Sequence, residues 1–277
     1  MVPVITLGSF HFFTSGIFLV LAWMLWSFLF WKSLVAFAVE EEKIFDMTFY
    51  TTLVGVLGGR VVYVLLHPEL FRDSLLKIPA LWIVPGISLY GMLLSGLVIL
   101  VFLCRTYKIR LAYILDALAS SLPYAFIVGQ ISSLLSGSEI GLPVSLPWSV
   151  RYVGIVALRH PVQMYAIAGL LLISFLLSLL SARAVKKQWS YGVIGIWFFM
   201  LYAPVFFYIE FFKDSSVYWS LLRVNQWVLL LLFGQACGAL YVRGGIRESL
   251  RPFFSFIHAR IIRLKGGSHE PFESIRP

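Results

Sequence analysis

Arg159-His160-Pro161-Val162-Gln163-Met164-Tyr165 places a guanidinium, an imidazole, an amide and a phenol within one short run. Arginine presents a fork of donors that matches phosphate oxygens, and histidine changes charge near neutral pH. The run closes a segment punctuated by Gly137, Gly141, Pro143, Pro147 and Trp148. A loop this long and rigid, ending in a cationic cluster, suggests a lipid head-group site. In Gly58-Gly59-Arg60, close backbone approach beside a guanidinium suits bidentate binding of a lipid phosphate. Asp46, Asp116 and Glu210 complete the ionisable residues inside otherwise apolar sequence. A charge at membrane depth is costly, so each of these is a functional candidate by default. The structural alternative stays open for each: an ion pair that fixes helix packing, such as Glu210 with Arg60, or Arg159 and His160 capping the helix that follows them.

What must position these groups is a membrane bundle. Seven apolar stretches, 12–30, 45–66, 86–104, 111–135, 161–182, 191–212 and 221–242, occupy most of the 277 residues. Each approaches the roughly 20 residues needed to cross a bilayer. The chain is 60% hydrophobic and only 13% charged, with a mean hydropathy of +0.89, which excludes an ordinary soluble domain. The fourth stretch is the weakest, because Asp116, Pro123 and a run of serines interrupt it. The first is expected to be a retained helix, since no basic residue precedes it and no small-residue cleavage pattern follows.

Orientation follows from the basic residues. Alternate connecting segments carry fifteen Lys and Arg on one side against five on the other, which predicts an outside N-terminus and a cytoplasmic C-terminus. The expected fold is therefore an all-α integral membrane protein of about seven transmembrane helices. Residues 1–242 form the polytopic domain and 243–277 a basic amphipathic tail lying on an anionic cytoplasmic leaflet. This bias explains most of the net charge of +9, leaving no need for a nucleic-acid partner. Cys104 and Cys237 imply no disulfide framework, and the five histidines show no ligand spacing that would support a metal site.

Beyond these features, the chain resembles the prolipoprotein diacylglyceryl transferases. RHPVQMY is similar to the family's RHPxQLYE motif, LGGRVVYVLLH to its GxRxGYVLF segment and LPWSV to its LPW turn. YIEFFKD is similar to VEFFRxPD, and LRVNQWVLLLLFGQACG to the last helix. The order of these landmarks matches along the whole chain. The resemblance implies an enzyme of the bacterial plasma membrane, without metal or organic cofactor. It would move the diacylglyceryl unit of phosphatidylglycerol, or a related anionic phospholipid, to the lipobox cysteine of a prolipoprotein. It also assigns site residues: His160, Tyr90 and Glu210 to catalysis, and Arg60, Arg159, Gln163, Tyr165, Gln130, Ser133 and Gly137 to substrate.

Several of these positions depart from the family pattern. The histidine of SFHGG reads Tyr90, the arginine and asparagine of GRxGNFxNGE read Gln130 and Ser133, and the arginine before the VEFF glutamate reads Phe206. The tyrosine of the N-terminal segment reads Ser15. Losing two arginines from a phosphate site removes charge-assisted bonds worth about 1.5–3 kcal/mol each. The expected function is therefore the transfer with a rearranged site. The alternatives are a catalytically inactive relative that binds lipid or lipoprotein, and an altered lipid-processing or transport function.

Overall fold

The computed structural model describes residues 4–7, 10–81, 83–84, 86–214 and 218–243. The expected amphipathic tail, beyond Arg243, lies outside the described residues. Seven helices follow the seven apolar stretches: α1 Thr14–Ala36, α2 Glu41–Leu66, α3 Leu89–Thr106, α4 Leu111–Ser136, α5 Val162–Lys186, α6 Val193–Glu210 and α7 Val224–Arg243. All but α3 are long and apolar enough to cross a membrane, and the described part of α3, Gly91–Thr106, is a shorter apolar helix. Two short hairpins, β1 Val4–Leu7 with β2 Phe10–Phe13 and β3 Tyr218–Trp219 with β4 Leu222–Arg223, lead directly into α1 and α7.

Local chemistry sets the helix ends. Glu41 and Glu42 occupy the first turn of α2, where the helix dipole favours negative charge. The Ser88 hydroxyl accepts from Gly91 N–H at the start of α3, and Gly137, with φ of +70°, ends α4 in the left-handed conformation that glycine adopts without strain. Arg105, Arg183 and Arg243 stand in the last turns of α3, α5 and α7, the ends that favour positive charge.

Side-chain contacts fix the order of packing. Gly58 and Gly59 of α2 lie against Ser95 and Met92 of α3, and a Cβ at either would collide with its neighbour, so two small residues let these helices approach closely. Phe37 stacks on Tyr113, and the Ser33 hydroxyl bonds that of Ser120, setting α1 antiparallel to α4. Phe126 meets Tyr202, and Asp116 meets the start of α6, so α4 and α6 run parallel. Gly169 against Val205 sets α5 antiparallel to α6, and Val193 with Leu240 does the same for α6 and α7. The ends of α2, α4 and α6 therefore share one end of the bundle with the starts of α1, α3, α5 and α7.

The fourth stretch, expected to be the weakest, is an unbroken helix that packs on α1, α5 and α6. The features that weakened it as a sequence make it central as a structure. Buried Ala112, Ala117, Ala119, Ser121 and Ala125 give it a narrow surface for three neighbours. Ser121 returns its hydroxyl to the Ala117 carbonyl, and the Asp116 carboxylate accepts from the Gly192 N–H (2.7 Å) and the Gly195 N–H (2.9 Å) at the start of α6. One side chain of α4 thus caps another helix, satisfying donors that have no partner within α6 itself.

Asp116→Ala is expected to lower stability by about 3 kcal/mol, because two charge-assisted bonds are lost, whereas Asp116→Asn retains one acceptor and falls between. Thermal unfolding in detergent measures this. Identical midpoints for all three proteins would remove Asp116 from the capping role.

Candidate functional site at the ends of helices 4, 5 and 6

The charged candidates of the apolar stretches are not at the middle of their helices. Asp46 lies near the start of α2, where Tyr107 donates to it at 2.6 Å; Glu210 is the last residue of α6, and Arg60 lies two turns from the end of α2. Hydrocarbon leaves charges few other places.

Arg60, expected to hold a lipid phosphate, is 6% exposed and already occupied. Nε donates to the Ile78 carbonyl, Nη1 to Val84 and Gly86, and Nη2 to Lys77, at 2.7–2.9 Å. Phe71 and Tyr63 lie against its guanidinium, 5.2 and 5.7 Å from the ring centroids. Four of its five donors are thus spent on the loop joining α2 to α3, where the carbonyls would otherwise be unpaired. It does not pair with Glu210, contrary to the structural alternative read from the sequence.

The RHPVQMY turn is built differently. Gly137 and Ser138 both bond the Ser133 carbonyl, and Ser133 and Ser138 share a hydroxyl contact at 2.9 Å, so Ser133 and Gly137 end α4. The chain then runs beside its own later segments. Leu142 N–H bonds Phe212, His160 N–H bonds Leu142, and Val150 pairs with Arg159 in both directions. Gly141 is essential to this layering, since any Cβ there would run into the His160 backbone. Gln163 is fully buried: its Oε1 accepts from Tyr152 Oη at 2.8 Å and its Nε2 donates to the Glu139 carbonyl. Burial pushes the Tyr152 phenol above its ordinary range, so the hydroxyl stays a donor to Gln163 at neutral pH. Gln163 therefore orients the loop.

Ionic groups close the assembly. Arg159 Nη1 bonds both the Gly141 carbonyl and the Asp214 carboxylate, while its Nε is buried with no acceptor among the described residues. Lys213 stands between two carboxylates, 3.1 Å from Glu139 Oε2 and 3.6 Å from Glu210 Oε2. Glu210, 4% exposed, also accepts from Asn225 Nδ2 at 2.9 Å, which links α6 to α7. Beside them His160 packs on Phe212 with its Nδ1 3.1 Å from Tyr165 Oη, and the same oxygen accepts from Trp148 Nε1 at 2.9 Å. An indole N–H can only donate, and the phenol oxygen has a second lone pair; in the tautomer with the proton on Nδ1 it accepts from both Trp148 and His160 and leaves His160 Nε2 open as a base.

Gln130 lies two turns before the end of α4, with a buried Oε1 that has no partner among the described residues. Phe206, where the family pattern has arginine, stacks on Tyr202 at 4.2 Å within the apolar cluster of α5 and α6. Tyr90 belongs to the first turn of α3, and its side chain lies outside the described residues. The structure thus gathers Arg159, His160, Gln163, Tyr165 and Glu210, and sets Arg60 on α2 against the α2–α3 loop. Glu139, Lys213, Asp214 and Asn225 were missed as site residues. The signal for the first was present: the family glutamate that aligned with Ser138 stands one position later, and its partner Lys213 follows Glu210 by three residues.

A polytopic helical bundle with an ion-paired, histidine-bearing cluster at one end defines a class: a multi-pass membrane protein with its polar cluster at the ends of its helices. Within that class the chain belongs to the prolipoprotein diacylglyceryl transferase family, which matches residues 3–242. It is similar to the phosphatidylglycerol–prolipoprotein diacylglyceryl transferase of Wolbachia pipientis subsp. Culex pipiens, with 30% identity across 64% of this chain and 71% of that protein. Proteins of the same name from Wolbachia sp. subsp. Brugia malayi and Bordetella avium are each 29% identical, over 73% and 75% of this chain and 81% and 79% of theirs.

Two outcomes test the local assignments. Arg60→Lys keeps the charge but cannot reach four carbonyls, so trypsin is expected to cut faster at Arg72 and Lys77; an unchanged cleavage rate would contradict the anchoring role. Lys213→Met leaves two carboxylates facing each other and is expected to cost about 3 kcal/mol, the low end for a broken buried pair because Glu139 is partly wet. Lys213→Arg should restore most of the thermal midpoint.

Proposed function

We propose that this chain transfers the diacylglyceryl group of phosphatidylglycerol to the sulfur of the lipobox cysteine of prolipoproteins. It does so at the outer face of the bacterial cytoplasmic membrane, with its N-terminus outside. The observation that carries the reading is the family match across the whole bundle, residues 3–242.

The reaction has simple requirements. A sulfur–carbon bond forms as a glycerol carbon–oxygen bond breaks, the electron pair goes to the phosphate oxygen, and glycerol phosphate leaves. The thiol proton must pass to a base, because the thiolate is the nucleophile. Phosphate binding falls to Arg159, whose Nε/Nη2 edge has no acceptor among the described residues while Nη1 is fixed by Asp214 and Gly141. A guanidinium held on one edge offers the other as a preorganised fork, which costs less ordering than a free side chain. His160 accepts the proton, held in place by Tyr165 and Phe212. Glu210, paired with Lys213 and bonded by Asn225, balances the cations and holds the start of α7 against the site. Gln130, with its unpaired amide oxygen, receives a hydroxyl of the glycerol head group, a donor that phosphate itself does not offer. Gln163 and Tyr165 position the loop, and Ser133 and Gly137 set where it leaves α4. Tyr90 is assigned to the site by alignment alone.

Purified protein in lipid should move a labelled diacylglyceryl group from phosphatidylglycerol to a lipobox peptide. In the Arg159→Ala, His160→Ala double variant the loss should reach at least about a hundredfold, since a single well-placed acid–base group contributes 10²–10⁴-fold. Phosphatidylglycerol binding without transfer by the unaltered protein would replace this reading with that of a lipid-binding relative.

A further inference from the structure

Between Trp148 and Leu158 the loop makes an excursion whose base is tightly held and whose tip touches almost nothing. The base is closed by the paired bonds of Val150 and Arg159, by Val144 N–H to the Leu158 carbonyl, and by buried Tyr152 on Gln163. At the tip the chain turns through Gly154, with φ of +80°. The side chains presented there are apolar: Val153 is 75% exposed, Val156 91% and, at the base, Trp148 57%. Arg151, also exposed, is the one cation among them. A polar loop bathed in water has no reason to carry this composition on a rigid frame, and leaving two valines in water forgoes about 1.5–3 kcal/mol for each.

The level of the loop says what covers it. Trp148 donates to Tyr165 in the first turn of α5. That helix has 25 residues, about 37 Å at 1.5 Å per residue, against a hydrocarbon core of about 30 Å, so its first turn stands in the head-group layer. Trp148 is therefore a tryptophan at interfacial depth with an uncovered ring, the position that indole favours at a membrane surface. Continuing from it, Met164, Leu171, Leu172 and Phe175 expose an apolar surface along α5 itself.

We infer that the 148–158 loop is a membrane anchor, with Val153 and Val156 seated among the head groups and upper acyl chains of the leaflet at the N-terminal end of α5 and Arg151 on their phosphates. Because Trp148, Tyr165 and His160 form one hydrogen-bonded series, this anchor also sets the height of the His160 ring relative to the lipid surface. The partner is the bilayer itself, not an acceptor protein, and the inference does not depend on the transfer reaction.

The test uses Val156→Cys in the full chain, with Cys104→Ala and Cys237→Ala, labelled with an environment-sensitive fluorophore. The protein is placed in vesicles of phosphatidylcholine and phosphatidylglycerol without any peptide. A blue-shifted emission, quenched by lipids brominated near the head group and resistant to iodide, is the expected result; a Ser138→Cys label should remain open to iodide. Iodide quenching at position 156 equal to that at 138 would overturn the anchor, and protection appearing only after addition of a lipobox peptide would reassign the tip to the acceptor. A spin label at Val153→Cys, read by oxygen against nickel-chelate accessibility, gives the depth independently of the fluorophore.

Discussion

Hydrocarbon supplies no hydrogen-bond partner, and that constraint governs this molecule from the helix ends inward. The four charged groups set deepest in apolar sequence lie toward helix termini, and each is matched: Asp116 by two backbone N–H groups of α6, Asp46 by Tyr107, Glu210 by Lys213 and Asn225, Arg60 by four carbonyls. The middle of the bundle is left to small and apolar residues, with α4 narrow enough to serve three neighbours. Apolar packing and ionic pairing are separated along the helices as a result, with the first at mid-length and the second at the ends.

At that end, the ionic groups do two things with the same side chains. Lys213 neutralises one carboxylate from the α4–α5 loop and one from α6, and Arg159 joins that loop to Asp214, so the loop cannot lift without breaking charge pairs. The same pairing leaves one edge of Arg159 and one ring nitrogen of His160 uncommitted. Rigidity through its carboxylates keeps the cations of this cluster preorganised.

The departures from the family pattern acquire a physical meaning in this setting. Phe206 fills its position by stacking on Tyr202, and Gln130 leaves an acceptor where the pattern has a cation. The cations that remain are those of the RHP turn and Lys213, positions at which the family pattern also carries a cation. Arg60, by contrast, keeps the family residue but spends four of its five donors on carbonyls of the loop that follows α2.

The positions of the seven helices were legible in the sequence to within a few residues, because a spanning helix is a local demand for apolar length that each segment meets alone. The RHPVQMY run was legible for a related reason, since unlike polar groups crowded into one turn stand out against apolar flanks. Residue partners were not legible. Gly192 and Asp116 are 76 residues apart, and Arg159 and Asp214 are 55, and nothing local marks them as neighbours. Arg60 carries the same guanidinium as Arg159; only the fold decided that one would meet carbonyls and the other a carboxylate and an open edge. Hydrophobic length is written in consecutive residues, whereas the pairing of charges depends on which helix ends the packing of small residues brings together.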